Sequence, residues 1–516
     1  MDYFSSLAAE FLHLICAPCA IPEIRHLRLT CKSISAVADE YLLPVVELYY
    51  CYESIRFAEE LSRSRVSCSI RLLCFHADRL NGQKGHYTTD ETPGQARRSV
   101  LTYDGWMLGR DPDLDFTDGR WGITDDSYPE APLRVAYNSV DAPCQAALRK
   151  GAAKIQQMKE GSAHPRFNLE AAYEHYLRLW SEQGQLDGSD TLQTTLETLF
   201  AECPRLVDVI VSCGDSLVPT TTYRVQDFTR ALACPNSDPE SPHSGVHTLN
   251  SVLSAATKTH KKIRMLGAGK LGYQFFLQDP RTLDLFAPTF TSLEKLLLQL
   301  ETPYHLRNRE KDELRLLIKP LRKESNQHIP HILHQMANLQ DLTIIMPGLT
   351  SYGSVKTPLA GILGNAGALP HYWRNLQRLR IEWCSTDEDY IVSLLLRHAE
   401  TLEFLRLADL DFSTTGDWPD AFTRLSCKLP RLRTLELRGA FQRAKEIRMY
   451  SFPPGKGLTI GNWPDEALMH EVQEFVLHGT VGGIRSVVPP PHGFHLGEKF
   501  EQPDDKLEEY LQWWIG

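Results

Sequence analysis

The sequence predicts an α/β chain with three short helices at its front. An irregular stack of strand–helix units follows, its parallel strands lining a concave face and its helices lying outside. Three observations predict this. Residues Met1 to Pro44 carry apolar side chains at helical spacing in three successive segments. A six-residue signature, apolar at its first, fourth and sixth positions, recurs through the second half of the chain. Between signatures the spacing turns helical, as at Tyr390, Ile391, Leu394, Leu395 and His398.

At 516 residues and 42% hydrophobic content the chain is long enough for several domains or one extended array. Acidic residues exceed basic ones by 65 − 55 = 10 and the pI is near 6.0. No whole-protein field therefore draws the chain to nucleic acid or an anionic membrane, and neither is expected as a partner. The apolar run from Phe11 to Ala20 is preceded or entered by Asp2 and Glu10, and no Lys or Arg appears before Arg25. No secretory leader is therefore expected. No apolar run approaches the ~18 residues of a membrane-spanning helix. Twelve cysteines are scattered through the chain without a secretory signal, which predicts free thiols in a reducing compartment.

In the first segment Leu7, Phe11, Leu14 and Ile15 fall at i, i+4, i+7 and i+8. Pro22 suits the first turn of a second helix, where Ile24 and Leu27 share a face. Thr30 is placed to cap a third, which carries Ile34, Val37, Ala38, Tyr41 and Leu42 before Pro44 stops it. So small a bundle needs a partner surface or the rest of the chain to be stable. Leu7 through Ile15, the block Leu27-Arg28-Leu29-Thr30-Cys31-Lys32, and the ending Tyr41-Leu42-Leu43-Pro44 together resemble the F-box, in the form seen in fungal members. Ala8 stands where that family has proline.

Val45 to Tyr50 reads as a strand, Ser54 can cap a helix carrying Ile55, Ala58 and Leu61, and Ile70 to Phe75 reads as a second strand. The pairs Val46/Leu48 and Leu73/Phe75 lie one repeat-sized step apart. From Asn81 the pattern dissolves into a Gly-, Pro- and Asp-rich insertion. Helices are expected from Asn168 through Trp180 and from Asp190 through Phe200.

The signature then appears at Leu206/Val209/Val211, Ile263/Leu266/Ala268, Leu293/Leu296/Leu298, Leu339/Leu342/Ile344, Leu376/Leu379/Ile381, Leu402/Leu405/Leu407, Leu432/Leu435/Leu437 and Val472/Phe475/Leu477. Alternation puts its last two apolar residues on one side of a short strand. A single unit cannot bury that side, but stacked neighbours can. L-x-x-L-x-L at irregular spacing resembles leucine-rich repeats over roughly residues 190–480. The organisation expected is a docking module over 1–44, a first unit or cap over 45–80, an insertion over 81–165, a solenoid over 166–480, and a C-terminal extension over 481–516. In that extension Leu507, Tyr510, Leu511 and Trp514 would close the stack.

Four patterns invite chemistry. Gly267-Ala-Gly269-Lys-Leu-Gly272 matches G-x-G-x-x-G after a strand, the order of a dinucleotide site, but Pro280 follows too soon for the helix such a site opens. Cys16-Ala-Pro-Cys19 has the spacing of a redox dithiol, yet falls between two helices of the front module. Asp111, Asp113 and Asp115 suggest a calcium loop, but Phe116 and Gly122 occupy the positions that need glycine and glutamate. His398 sits on an apolar helical face, where a packing role outweighs a catalytic one. No cofactor or metal is expected.

The F-box resemblance implies a non-enzymatic substrate receptor of an SCF-type cullin–RING ubiquitin ligase, in the cytoplasm or nucleus. Its Skp-family adaptor would meet Leu7, Phe11, Ile15, Ile24, Leu27, Leu29 and Lys32. The repeats would hold an unidentified target protein through Arg378, Arg380, Glu382, Phe404, Arg406, Glu436, Arg438 and His478, which the period places on the outward strand positions. Two alternatives stand beside this reading: a repeat scaffold without ubiquitin transfer, and a nucleotide-binding enzyme using Gly267–Gly272.

Overall fold

A computed structural model describes residues 7–19, 21–80, 169–213, 241–301, 328–346, 357–364, 373–412, 418–442, 449–452 and 474–479, with positions 217, 416 and 472. The expected insertion, the acidic run at Asp111 and the C-terminal extension lie outside these residues. The front module is α1 (Ala9–Cys16), α2 (Ile21–Leu27) and α3 (Lys32–Ala38), with a 3-10 turn at Asp39–Tyr41. After it come strands β1 (Val45–Tyr49), β2 (Leu72–His76), β3 (Asp208–Ser212), β4 (Met265–Gly272), β5 (Lys295–Glu301), β6 (Asp341–Ile345), β7 (Thr357–Pro358), β8 (Arg378–Glu382), β9 (Cys384–Thr386), β10 (Phe404–Ala408), β11 (Asp411–Phe412), β12 (Thr434–Gln442) and β13 (Met449–Phe452).

Nine of these strands form a parallel sheet in chain order, β1-β2-β3-β4-β5-β6-β8-β10-β12. The signature explains the register. Its fourth positions align as Val46, Leu73, Val209, Leu266, Leu296, Leu342, Leu379, Leu405 and Leu435, and its sixth as Leu48, Phe75, Val211, Ala268, Leu298, Ile344, Ile381, Leu407 and Leu437. Both rows belong to one hydrophobic core that also takes in the helices Tyr52–Ser62 (α4), Thr191–Glu202, Ser241–Lys258 and Glu388–Arg397. A slip of one residue would turn every one of these side chains to the other face, so burial alone pins the pairing.

The same joint is remade between neighbouring units. The carbonyl just ahead of each strand accepts an N–H from the start of the next unit: Pro44 from Arg71 at 2.9 Å, Arg71 from Val207 at 3.1 Å, Val207 from Arg264 at 2.7 Å, Glu294 from Gln340 at 2.7 Å, Gln377 from Glu403 at 2.7 Å. The leading leucines Leu206, Leu293, Leu339, Leu376 and Leu402 are fully buried beneath the strands they precede. Each such side chain taken from water contributes about 2 kcal/mol.

Beyond the C-terminal ends of β8, β10 and β12 a second ribbon runs β7-β9-β11-β12, with β13 antiparallel on β12. Trp383 (φ 60°) and Asp409 (φ 52°) make the corners into it. Their N–H groups still donate to Ala408 and Arg438 at 3.1 and 3.0 Å, so the ladder is unbroken through left-handed residues that would otherwise be unfavourable.

Three expectations change. Ser54 does not cap α4: the helix starts at Tyr52 with Cys51 in the capping position, and Ser54 Oγ accepts from Tyr49 N at 2.9 Å. Val472/Phe475/Leu477 is not a strand: residues 472 and 474–478 are helical, Val472 and Val476 enter the core one turn apart, and the carbonyls of Phe475 and Val476 accept from Ser426 Oγ and Cys427 N. Apolar residues at i, i+3 and i+5 fit a strand signature, but i, i+3 and i+4 equally fit a helix, and here the helical contacts decide. Thr30 does not cap α3. Its hydroxyl donates to the Leu27 carbonyl at 2.7 Å, closing the end of α2, and Cys31 occupies the capping position.

Candidate functional site

The front module has its own core, Leu12, Cys16, Ile24, Ile34, Val37 and Ala38, separate from the core under the sheet. Helix α1 is apolar on more than one side. Leu12 and Cys16 point inward, while Leu7 just ahead of the helix, Phe11 and Leu14 are 39, 59 and 69% exposed. Leu29 is 83% exposed and Lys32 is exposed as well. Ile15 and Leu27 are half-buried against the module's core. Ile24 is fully buried, so it holds the bundle together from within and presents no surface to a partner. Leu14, on the same side as Phe11, is an additional exposed position of the kind the adaptor expectation requires.

Polar contacts join the module to the sheet. Arg205 pairs with Glu40, the Arg71 guanidinium lies 5.7 Å from the centre of the Tyr41 ring, and Ser69 Oγ donates to Leu43 O at 3.1 Å while accepting from Leu43 N at 3.2 Å.

On the sheet face away from the core, seven of the eight expected target-binding residues come together. Positions of β6, β8, β10 and β12 align as Asp341, Arg378, Phe404 and Thr434; as Thr343, Arg380, Arg406 and Glu436; and as Ile345, Glu382, Ala408 and Arg438. Arg380 Nε and Arg406 Nε both reach Glu382 Oε1, at 2.5 and 3.0 Å. Arg406 and Arg438 lie 3.6 and 3.7 Å from Glu436 Oε2, and Arg378 stacks its guanidinium 4.7 Å from the centre of the Phe404 ring. Lys295 lies beside Asp341 in register on β5. Burial pushes the Asp341 carboxyl up to about 6, against the opposing pull of Arg378, Lys295 and Arg380. His478 is not in this group. It is exposed on the C-terminal helical turn, because the segment that carries it is not a strand.

Between β1 and β5 the same face is different in kind. Leu72, Cys74, Ile210, Met265 and Leu297 form a second small core with Leu217 packed onto it. A Cβ on Gly267 would come within 3.2 Å of Ile210 Cγ1 and 3.4 Å of Leu217 Cδ1. The glycine makes room for that packing. Residues Met265–Gly272 are strand throughout, with a register shift between Ala268 and Leu271. The turn into a helix N-terminus that a phosphate site requires is not made at Gly267–Gly272.

The remaining chemical candidates are packing groups. Cys16 is fully buried and its thiol is pushed up by burial and then by Cys19, opposite to a reactive dithiol, while Cys19 Sγ donates to Ile15 O at 3.1 Å. His398 stacks on Trp373 with ring centres 5.9 Å apart, and burial holds it down to about 4, so it is neutral near pH 7. A further cluster, not foreseen, lies past the ends of β1 and β2. Tyr50 OH donates to Asp187 Oδ1 at 2.7 Å, Arg79 sits 4.3 Å from the centre of the Tyr50 ring and pairs with Asp187, and Gln183 bonds to the backbone of Tyr50 and Leu80. It fastens the helix Leu169–Asp187 to the first unit. Its members are far apart in sequence, so no local pattern announces it. Among the described residues no group of three or more His, Cys, Asp or Glu is arranged to hold a metal ion, and no helix is long and apolar enough to cross a membrane. No protein-family model matches this chain, and no curated protein matches it either.

Proposed function

We propose that this chain is the non-enzymatic substrate-recognition subunit of an SCF-type cullin–RING ubiquitin ligase. Residues 1–44 act as an F-box-like module on a Skp-family adaptor, and the parallel strands act as an irregular leucine-rich-repeat solenoid that holds a target protein. One observation carries the reading: a small helical bundle with an independent core leaves Phe11 and Leu14 uncovered on one side of its first helix. Exposed apolar helical surface of this kind is completed by the helices of a partner. Catalysis is indirect. The target's lysine is kept at high effective concentration near a ubiquitin-charged enzyme elsewhere in the assembly, and this chain contributes position only. A reducing cytoplasmic or nuclear compartment follows from that role.

The test is co-purification with a Skp-family adaptor and cullin. The intact chain is expected to retain both. Phe11→Asp with Leu14→Asp should lose the adaptor while leaving thermal unfolding within about 1 °C, since exposed substitutions change stability by little. Leu27→Asp is a weaker test, because Leu27 also packs against the module's core. An intact chain that fails to bind the adaptor overturns the proposal and leaves the scaffold reading.

A further inference from the structure

The turn between α2 and α3 lies within the expected adaptor surface, with exposed Leu29 just ahead of Thr30 and exposed Lys32 two residues after it. Among the described residues of the front module Thr30 is the exposed hydroxyl. Ser33, Ser35 and Tyr41 are half-buried, and Tyr41 is bonded to His13 at 3.0 Å. The Thr30 hydroxyl is committed to the fold. It donates to the Leu27 carbonyl at 2.7 Å, the same oxygen that accepts Thr30 N–H at 3.1 Å, while Leu29 N–H reaches the His26 carbonyl at 3.0 Å. Two donors on one carbonyl close the C-terminal end of α2 and set where Leu29 projects. Arg28 Nε, beside them, pairs with Asp39 Oδ1 at 2.5 Å and ties that end to the 3-10 turn. Charge here is one-sided. From Ile24 to Ala38 the chain carries Arg25, Arg28 and Lys32 and no Asp or Glu, in a protein whose net charge is −10.

We propose that Thr30 is a phosphorylation site, through which a basophilic Ser/Thr protein kinase switches off docking at the front module. The inference rests on the adaptor reading of that module. In the transfer, Thr30 Oγ1 bonds to the γ-phosphorus of a nucleoside triphosphate as the bond from that phosphorus to the β–γ bridging oxygen breaks. The nucleoside diphosphate leaves, and the hydroxyl proton passes to the kinase's carboxylate base. Three cations in a segment free of acidic residues suit an acidic peptide groove. The turn ends a helix of only seven residues, and such an end opens at little cost. The product cannot keep the native arrangement. An ester oxygen has no proton to give, so the Leu27 carbonyl loses its hydroxyl donor. A phosphate of charge about −2 then stands at the carbonyl end of a helix, where negative charge repels. It also draws Arg28 and Lys32 onto its oxygens, taking Arg28 from Asp39 and Lys32 from the adaptor. The end of α2 frays, and Leu29 and Lys32 cease to present one surface.

The test uses the full chain in three forms: unmodified, with phosphothreonine installed at position 30, and Thr30→Val. Affinity for a purified Skp-family adaptor should fall about tenfold or more with phosphothreonine. Thr30→Val, which removes the donor but adds no charge, should stay within about threefold. In the chain alone, hydrogen exchange at the Arg28, Leu29 and Thr30 amides should quicken about tenfold on phosphorylation. Incubation with a cyclic-AMP-dependent protein kinase and ATP should place phosphate on Thr30, read by peptide mass spectrometry. An unmodified chain that does not bind overturns the adaptor reading and this inference with it. An unmodified chain that binds, with the phosphothreonine form binding equally, overturns this inference alone. So does a loss for Thr30→Val as large as that for phosphothreonine, exchange that phosphorylation leaves unchanged, or a kinase reaction that leaves Thr30 unmodified.

Discussion

The two halves of the sheet face away from the main core share one backbone, one register and one strand direction, yet they solve opposite problems. From β1 to β5 the side chains are drawn into a second apolar core, and Gly267 gives up its side chain so that Leu217 and Ile210 can pack. From β6 to β12 the same positions carry an arginine–carboxylate mesh. A buried ion pair is weak evidence for stability, since desolvation consumes most of its Coulomb energy. The difference teaches that one half of the face is filled by apolar side chains and the other by paired charges that are also largely buried.

The sharpest way to break this contrast is to place one carboxylate in each half. Ile210→Asp and Thr343→Asp fall in the same row, on β3 and β6. In the first case the charge is buried among Cys74, Leu217 and Met265, and a loss of about 4 kcal/mol is expected in denaturant unfolding. In the second, Arg380 is the cross-strand neighbour, and the loss should be less than about half as large. Equal losses would mean that the halves do not differ in electrostatics. A somewhat smaller effect is expected from Glu382→Gln, which leaves Arg380 and Arg406 side by side without their shared carboxylate: about 3 kcal/mol. Adding Arg406→Gln should recover part of it, and a double-mutant cycle measures how much.

The smallest effect is in pH. Asp341 faces Lys295 on β5 and Arg378 and Arg380 on β8, yet burial raises its carboxyl to about 6 from an ordinary 3.8. A raised carboxyl means the folded state binds its proton more tightly than the unfolded one. The cost of burying the charge is therefore present in full above pH 6, and is relieved as pH falls from about 6 towards 4. Asp341→Asn should flatten that part of the stability–pH curve by on the order of 2 kcal/mol relative to the unaltered chain. Curves that run parallel through this window would show that Asp341 is not the group responsible.

Much of this architecture was legible in the sequence because it repeats. An alternation of period two, followed by a helical period, names both the strand and the side it buries, and seven successive signatures fell into one aligned row. Seven of eight expected target-facing residues were placed together for the same reason. The failures share a cause. Val472/Phe475/Leu477 satisfied the spacing with too few residues to separate strand from helix, and His478 went with it. Spacing put Leu7, Phe11, Leu14 and Ile15 on one face of α1, but Leu14 was left out of the adaptor-facing set, while Ile24 of α2, which the packing of three helices buries, was included in it.

What the sequence by itself determined was local: which residues alternate, which recur with helical period, and therefore how neighbouring strands must register to keep leucine out of water. What only the tertiary structure decided was which of two equally apolar sides is covered, and which distant groups meet. Leu217 over Gly267, Tyr50 against Asp187 and two arginines sharing one oxygen of Glu382 are contacts between strands or segments. Period reports only the burial of a residue relative to its own neighbours in the chain, so contacts of this kind become visible when the packing is complete.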